Sequence, residues 1–173
     1  MRRILALVLF LGLSLSPLPV LAQAPAWSVY FSPNGGCTLA ITHQLDRAKK
    51  EVLVQAYSFT SARIAKALLE AHKRGVKVEV ILDRSQRREK YSSADFMAHA
   101  GIRVLIDDQH AIAHNKIMII DQETVITGSF NFTKAAEEKN AENLLVIKDQ
   151  ALAGRYVQNW KAHEAHSQAY SGR

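Results

Sequence analysis

The sequence contains a single cysteine, Cys37, among 173 residues. One cysteine cannot form a disulfide within the chain, so packing must stabilise the folded state. Gly36 before it and an amphipathic segment after it predict a small buried residue here, not a catalytic thiol. Internal repeats and low-complexity segments are also absent, and a 48% apolar composition suits one globular domain with a sizeable core.

A positively charged and then apolar segment occupies the N terminus. Arg2 and Arg3 precede an apolar run over residues 4–15, and two prolines and a short Val-Leu-Ala sequence follow. This pattern is typical of a secretory signal peptide, which we predict to span residues 1–22 and to be cleaved after Ala22, with Ala24 as the neighbouring alternative. The run is short for the ~20 residues that span a bilayer, so we expect a membrane partner only if the leader is retained.

What remains after cleavage is predicted to be one domain, residues 23–173, in the periplasm or secreted. Because no cysteine follows the cleavage point directly, a lipoprotein is not expected. Loss of the two leader arginines also lowers the formal net charge of +6 by two. The remaining mild positive charge is compatible with a polyanionic partner but does not demonstrate one.

Basic residues are concentrated in one short segment. Arg84, Arg87, Arg88 and Lys90 are interrupted only by Glu89 among charged residues. Taken alone, such a run is most often a solvated loop. Next to a site that binds phosphate, these residues are better interpreted as contacts to a phosphate backbone.

Apolar periodicity divides the chain into alternating strands and helices, which predicts an α/β fold with a mixed, largely parallel central sheet flanked by helices. The predicted strands are 29–31, 52–57, 76–82, 102–106 and 143–148, and the predicted helices are 39–50, 61–74, 92–101 and 152–160. A predicted antiparallel hairpin contains strands 112–120 and 124–127 around a turn at 121–123.

The hairpin carries the residues most relevant to function. Side chains on a strand alternate between its two faces, so His114 and Lys116 share a face, and Ser129 and Asn131 share one at the end of the second strand. An imidazole, a cation, a hydroxyl and an amide can therefore converge on one phosphate. This set suits cleavage of a phosphodiester without metal.

The full pattern, His-x-Lys-x4-Asp-x6-Gly-Ser-x-Asn, resembles the motif of the phospholipase D superfamily. The stretch from Tyr57-Ser58-Phe59-Thr60 through Gly128–Ala136 to Glu142-Asn143 is similar to its small bacterial endonuclease branch, and the resemblance extends from about Val29 to Trp160. It implies a phospholipase D-like fold. Longer members hold two such motifs in one chain, whereas this chain holds one.

The resemblance implies hydrolysis in two steps through a phosphohistidine intermediate. A neutral imidazole attacks phosphorus while a second, protonated imidazole protonates the leaving oxygen. His114 suits both roles, but one copy cannot fill both at once. A two-fold symmetric dimer places the same residue of each subunit at its axis, so we predict a homodimer with one site that contains both copies of His114.

The other motif residues have predicted roles around the phosphate. Lys116 stabilises charge on the non-bridging oxygens, and Asn131 donates an amide N–H to them. Ser129 either donates to phosphate or orients a neighbour. Glu142, which matches the downstream acid of the family, is predicted to accept a hydrogen bond from His114 Nδ1, with a solvated surface glutamate as the alternative.

Two motif residues are predicted to be structural. Asp121 follows His114 by seven residues on the opposite face, so we exclude it from the chemistry and expect it to form the turn. Gly128 is expected to permit close approach of the backbone to substrate. Tyr57, Ser58 and Phe59 end a strand and either line the pocket or join the core.

The seven histidines raise a metal site as the rival interpretation. On a helix His110 and His114 have the spacing to share zinc, but on a strand they lie ~13 Å apart, which forbids a shared ion. His163 and His166 fall one residue short of a zinc-protease pattern and are predicted to be exposed positions on the last helix. We therefore expect no metal and no other cofactor.

Three functions follow in order of preference. The first is an endonuclease acting on DNA and perhaps RNA, which the basic segment, the small size and the resemblance to the endonuclease branch support. Because the sequence has no obvious base-reading element, we expect contacts mainly to phosphates and little sequence specificity. The second is a phospholipid hydrolase, for example of cardiolipin, which an anchored leader or an exposed apolar rim would favour. The third is a nucleic-acid-binding module without activity, which the intact set of motif residues opposes.

Overall fold

A computed structural model describes residues 26–173, which form one eight-stranded sheet with helices on both faces. The predicted leader lies outside these residues. No helix of residues 26–173 is both long and apolar enough to cross a membrane. The strands are β1 Trp27–Ser32, β2 Glu51–Ala56, β3 Lys77–Asp83, β4 Arg103–Asp107, β5 Lys116–Ile120, β6 Thr124–Gly128, β7 Glu142–Lys148 and β8 Gln168–Tyr170. The helices are α1 Cys37–Arg47, α2 Ala62–Lys73, α3 Ala94–His99, α4 Lys134–Glu138 and α5 Gln150–Glu164, and a short 3-10 helix covers Arg84–Arg87.

The strand order is β1-β7-β6-β5-β2-β3-β4-β8. A mixed sheet flanked by helices is therefore confirmed, but it is not largely parallel. Only the β2–β3 and β3–β4 pairs are parallel, and the other five pairs are antiparallel. The helices that follow β2 and β3 return the chain to the same end of the sheet, whereas the turn after β5 and the hairpin connections reverse it.

Two hydrophobic layers cover the sheet. Helices α1, α2 and α3 pack on one face over the larger layer, which includes Leu45, Leu68 and Met97. The other face is covered by α5, whose Trp160 is 2% exposed and donates its indole N–H to the Val54 carbonyl at 3.0 Å. Every residue of β5 is buried because this central strand contacts both layers.

Local signals account for several element boundaries. The Ser61 hydroxyl accepts a hydrogen bond from the Ile64 N–H at 3.4 Å and so begins α2, as predicted. Gly75 has a φ of 89° and ends that helix in the left-handed conformation that favours glycine. Cys37 is fully buried, as predicted, and burial raises the pKa of its thiol to about 11, which opposes thiolate chemistry at neutral pH.

The predicted hairpin is present, with a later start. Asp121 and Gln122, at φ of 54° and 58°, form the turn between β5 and β6, and Glu123 N–H donates to the Ile120 carbonyl at 3.0 Å. Strand β5 begins at Lys116, not at residue 112, so His114 lies in the loop that precedes the strand. The sequence interpretation missed α4 and β8, which are only five and three residues long.

Candidate active site

One edge of the sheet collects the predicted functional residues. In the sheet register Lys116 lies beside Ala56, and Gly128 lies beside Leu144. The start of β5 is therefore flanked by the end of β2 on one side and by the end of β6 and the start of β7 on the other. Residues 57–60, 114–116 and 129–131 and Glu142 consequently meet at this edge.

His114 is exposed at the mouth of an open cavity of about 460 Å³. Its ring packs against the Tyr57 ring with centroids 4.6 Å apart. The backbone on either side is fixed, because Ala113 N–H donates to the buried Asp83 carboxylate at 2.8 Å and the Asn115 carbonyl accepts from Tyr57 N–H at 2.8 Å. The imidazole is thus accessible to substrate on a held backbone.

Lys116 supplies a buried cation beside this imidazole. The residue is 7% exposed, and its Nζ donates to the His114 carbonyl at 2.8 Å and lies 5.0 Å from the centroid of the Tyr57 ring. Burial lowers the pKa of Lys116 below its ordinary value, and the negative charge of Glu142 partly opposes that shift. Tyr57 therefore forms a wall of the site, whereas its neighbour Phe59 is fully buried in the core.

Ser129 and Glu142 bind each other. The Ser129 hydroxyl donates to Glu142 Oε2 at 2.6 Å and accepts from Asn143 N–H at 3.1 Å, while Glu142 Oε1 accepts from Asn140 Nδ2 at 3.1 Å. The predicted hydrogen bond between Glu142 and His114 is absent from the hydrogen bonds of residues 26–173. Because Glu142 begins β7 and Ser129 directly follows the neighbouring strand β6, the two side chains are close enough to hydrogen-bond.

Gly128 permits a close backbone contact with β7, and it also lines the cavity that contains His114, so its predicted approach to substrate stays a prediction. Its φ is 145°, and a Cβ atom here would lie 2.3 Å from the Asn143 carbonyl oxygen. Any larger residue would push β6 and β7 apart. Gly128 therefore sets the position of Ser129 against Glu142.

Asn131 follows β6, and its neighbour in the chain is bonded to the segment that follows β2. The next residue, Phe132, donates its N–H to the Ser58 carbonyl at 3.2 Å and accepts from Thr60 N–H at 3.0 Å. The Asn131 side chain is half-buried, and its Oδ1 has no hydrogen-bond partner among residues 26–173. The Oδ1 acceptor is thus unpaired, whereas the Nδ2 donor is the end of the amide that a phosphate oxygen requires.

Asp121 lies at the opposite end of β5 and is structural, which agrees with its exclusion from the chemistry. Its carboxylate accepts hydrogen bonds from the backbone N–H groups of Lys49, Lys50 and Glu51 at 2.7–3.2 Å. It therefore joins the hairpin turn to the connection between α1 and β2, which extends the local turn role expected from the sequence.

The basic segment follows β3 at the same edge as His114. Arg84, Arg88 and Lys90 are exposed there. Arg87 is half-buried instead, with its guanidinium bonded to Gln168 Oε1 at 3.3 Å and its central carbon 5.9 Å from the Tyr170 ring centroid. Arg87 therefore packs against β8, and its predicted role in substrate binding is weaker than that of Arg84 and Arg88.

The sequence interpretation missed three residues of α5 that share the cavity with His114, namely Arg155, Tyr156 and Asn159. It also missed a cluster at the end of β4. The fully buried Asp107 contacts His163 Nδ1 at 2.7 Å, His110 Nδ1 at 3.0 Å and His166 Nε2 at 3.4 Å. His163 is 15% exposed in its side chain, so the prediction that this helix end is simply exposed is wrong.

The cluster has its own electrostatics. Burial by itself would raise the pKa of Asp107, but hydrogen bonds with His163 and His110 hold it well below its ordinary value. His110 joins His163 and His166 here, and not His114 as the His-x3-His spacing suggests. The sequence predicted a helix at residues 152–160, but no local pattern indicates that the end of this helix lies beside β4.

The active-site residues together can bind and cleave a phosphate ester. The accessible His114 imidazole suits the role of a nucleophile, and the buried Lys116 ammonium and the Asn131 amide are groups that can stabilise charge on oxygen. Ser129 and Glu142 hydrogen-bond to each other beside them. The second imidazole that leaving-group protonation needs is not among the residues that line the His114 cavity.

Comparisons with known proteins agree with this geometry. Residues 41–163 match the family model described as "Cardiolipin synthase, PLD-like domain". A "Phospholipase D" of Rickettsia conorii is 49% identical over 138 residues, which cover 80% of this chain and 69% of that protein. A "Mitochondrial cardiolipin hydrolase" of Canis lupus familiaris is 29% identical over 164 residues, which cover 89% of this chain and 64% of that protein.

Among solved structures, a phospholipase D family member, Nuc, from Salmonella typhimurium superposes with a TM-score of 0.82. The two chains share 38% sequence identity, and the match covers 85% of this chain and 99% of that chain. The family model spans the motif from Tyr57 to Glu142. The fold, the motif geometry and these matches show that the chain belongs to the phospholipase D superfamily and is a hydrolase of phosphodiesters.

Proposed function

We propose that the protein is a periplasmic or secreted, non-specific endonuclease that cleaves DNA, and RNA where it is available, without metal in the chemical step. The observation that carries the proposal is the exposed His114 imidazole beside the buried Lys116 ammonium, at a sheet edge that also presents exposed arginines. The leader-like segment at residues 1–22 supports export.

The proposed reaction has two displacements. A nitrogen of neutral His114 attacks phosphorus, the P–O bond to the leaving group breaks, and a protonated second imidazole gives its proton to the departing oxygen. That second imidazole, now neutral, removes a proton from water, which attacks the phosphohistidine and releases His114. Lys116 and Asn131 stabilise the charge that develops on the non-bridging oxygens.

The second imidazole is proposed to be His114 of another copy of the chain. The supporting observation is the exposure of His114 at an open cavity, where a second subunit can approach it. A two-fold axis at this point makes one composite site from two identical half-sites.

Nucleic acid as the substrate is supported by the charges around this edge. Arg84 and Arg88 follow β3 and are exposed, and β3 is separated from β5 only by β2. Neighbouring strands lie ~4.8 Å apart, so these guanidinium groups are within reach of phosphates on either side of a scissile bond. Contacts of this kind do not distinguish bases.

Phospholipid is the second candidate substrate, and one structural observation favours it. Trp27, Val29 and Phe31 alternate along edge strand β1 and are 39–63% exposed, and Ile112 is 59% exposed two residues before His114. Exposed apolar residues near a phosphodiesterase site suit contact with a lipid surface. The relatives named phospholipase D and cardiolipin hydrolase point the same way.

A parallel assay separates the two substrates. Supercoiled plasmid, which has no ends, and cardiolipin vesicles are each incubated with the protein in excess chelator, together with His114→Ala as the inactive control and His43→Ala as a matched exposed histidine variant. We expect plasmid nicking by the wild type and by His43→Ala only. Lipid cleavage without nicking would overturn the nuclease proposal. Dependence of nicking on added metal that persists in His110→Ala, which lacks one histidine of the Asp107 cluster, would overturn the phosphohistidine route.

A further inference from the structure

Four potential metal ligands converge at the end of β4, outside the proposed catalytic residues. One ligand atom from each of Asp107, His110, His163 and His166 lies within 4.8 Å of the other three. The three imidazole rings also lie close together, tilted by 33–59° to one another, with centroids 4.8–5.4 Å apart. The residues come from three places in the chain: the end of β4, the loop after it, and the end of α5 with the turn that follows.

The arrangement is poorly explained by hydrogen bonds alone. Asp107 is fully buried and carries the only carboxylate of the cluster, and among the three histidines its hydrogen bonds reach only His163 Nδ1 at 2.7 Å and His110 Nδ1 at 3.0 Å. His166 Nε2 is buried in the group, yet it has no hydrogen-bond partner among residues 26–173. It lies 3.4 Å from Asp107 Oδ1 without forming a hydrogen bond, and a buried polar atom left in this way close to three other potential ligand residues indicates a missing ligand.

The donor set matches the preferences of zinc. Zn²⁺ takes four ligands in a tetrahedron, with imidazole nitrogen and carboxylate oxygen at ~2.0–2.2 Å, so neighbouring ligand atoms lie ~3.3 Å apart. The contacts of Asp107 with the three histidines, at 2.7–3.4 Å, already bracket that separation. Small side-chain rotations would therefore seat an ion between the four atoms.

We propose that Asp107, His110, His163 and His166 bind one divalent transition-metal ion of the zinc class. Four protein ligands fill a tetrahedral shell, so the site is structural and offers no open position to substrate. The ion ties the loop after β4 to the end of α5. That loop continues from His110 to His114, so the metal positions the catalytic loop without touching the phosphate.

Binding is tested on protein purified from the full sequence without a histidine tag, stripped with chelator, and dialysed. The His114→Ala background removes the proposed catalytic imidazole as a competing ligand. Zn²⁺ is titrated by calorimetry, and Co²⁺ is used as a spectroscopic substitute because its visible absorption bands are intense only in tetrahedral sites. We expect one ion per chain and the tetrahedral Co²⁺ spectrum.

Variants then locate the site. His110 and His166 are partly exposed, so His110→Ala and His166→Ala are expected to fold, which circular dichroism of the metal-free proteins checks. Each removes a ligand and should weaken Zn²⁺ binding by at least the ~10- to 100-fold that loss of a supporting contact costs. Exposed His43 provides the matched control, and His43→Ala should bind as the parent does.

Three results would overturn the proposal: no binding beyond that of weak surface sites, binding that the two cluster variants leave unchanged, or a Co²⁺ spectrum of octahedral type. None of these readouts depends on nuclease activity. Failure of the metal site is therefore distinguishable from failure of the proposed function.

Discussion

Substitution of Asp121 tests whether this motif residue stabilises the fold without taking part in catalysis. Its carboxylate accepts hydrogen bonds from three backbone N–H groups of residues 49–51, and its own φ is 54°. Asp121→Ala removes the acceptor and places alanine in the left-handed region. Asp121→Asn keeps one acceptor oxygen and a residue that tolerates this backbone conformation.

The expected loss of stability follows from these contacts. Loss of the charged acceptor costs ~2 kcal/mol, at the lower half of the range for charged hydrogen bonds because two of the donors are exposed to water. Alanine in the left-handed region costs ~1 kcal/mol more. The free energy of unfolding of Asp121→Ala should therefore fall by ~3 kcal/mol, which for a domain of this size lowers Tm by roughly 6–12 °C, and Asp121→Asn should lose about half of that.

Asp121→Ala should lower the stability of the protein without lowering its catalytic rate. Asp121 lies five residues beyond Lys116 along β5, ~16 Å at 3.3 Å per residue, so it cannot touch a phosphate bound at His114. Thermal unfolding monitored by circular dichroism and kcat measured well below both Tm values separate the two effects, with Asp46→Ala on α1 as an exposed control. A folded Asp121→Ala protein whose kcat falls a hundredfold, or one with an unchanged Tm, would refute this reasoning.

Three further predictions concern the active site. If both copies of His114 act in one site, subunit exchange of wild type with equal His114→Ala should leave about one quarter of the activity of an all-wild-type sample, and about one half would instead mean independent sites. Because burial lowers the pKa of Lys116, kcat should fall at alkaline pH with a midpoint below pH 10.5, and this fall should be absent in any active Lys116→Arg protein. The lowered pKa also means that this group's contribution to stability is present above pH 10.5 and is lost as pH falls through the lowered pKa. The inactive Lys116→Met protein should therefore be at least as stable as wild type at neutral pH. Each of Arg84→Ala and Arg88→Ala should reduce the slope of log affinity against log salt by ~0.9 for DNA bound to an inactive background, whereas Arg47→Ala at the opposite sheet edge should leave it unchanged.

Chelator effects on activity have a built-in control. His110→Ala lacks a ligand of the proposed metal site, so its activity should be the same with and without chelator if the chemical step needs no metal. If chelator lowers activity and Tm only in the wild type, the cause is loss of the structural ion. If chelator lowers activity in both proteins, the chemical step itself needs a metal.

The local sequence predicted several features well because they depend on neighbours in the chain. The capping hydroxyl of Ser61, the helix end at Gly75 and the turn at Asp121 are each determined by backbone conformation within a few residues. The period-two pattern of the motif grouped His114 with Lys116, and both line one cavity, although His114 precedes the strand. It did not show that Lys116 begins the strand, because an apolar pattern does not distinguish a strand residue from an extended loop.

Strand direction and side-chain partners were harder to predict. Alternating strands and helices suggested a largely parallel sheet, but pairing between distant segments, such as β1 with β7, determines direction. Glu142 was assigned to His114 and instead binds Ser129, because the close contact at Gly128 brings β6 against the start of β7. Neither the strand direction nor the partner of Glu142 can be predicted from the local apolar periodicity.

The sequence alone determined which chemical groups the motif offers and how far apart they lie along the chain, although only Lys116 of the four lies within a strand. Only the tertiary structure decided that Asp107 and His163, 56 residues apart, share one cluster. Their meeting depends on the packing of α5 across the sheet, where Trp160 is buried in the same layer as Leu105 of β4. Long-range packing therefore created the second site, whereas local geometry had already specified the first.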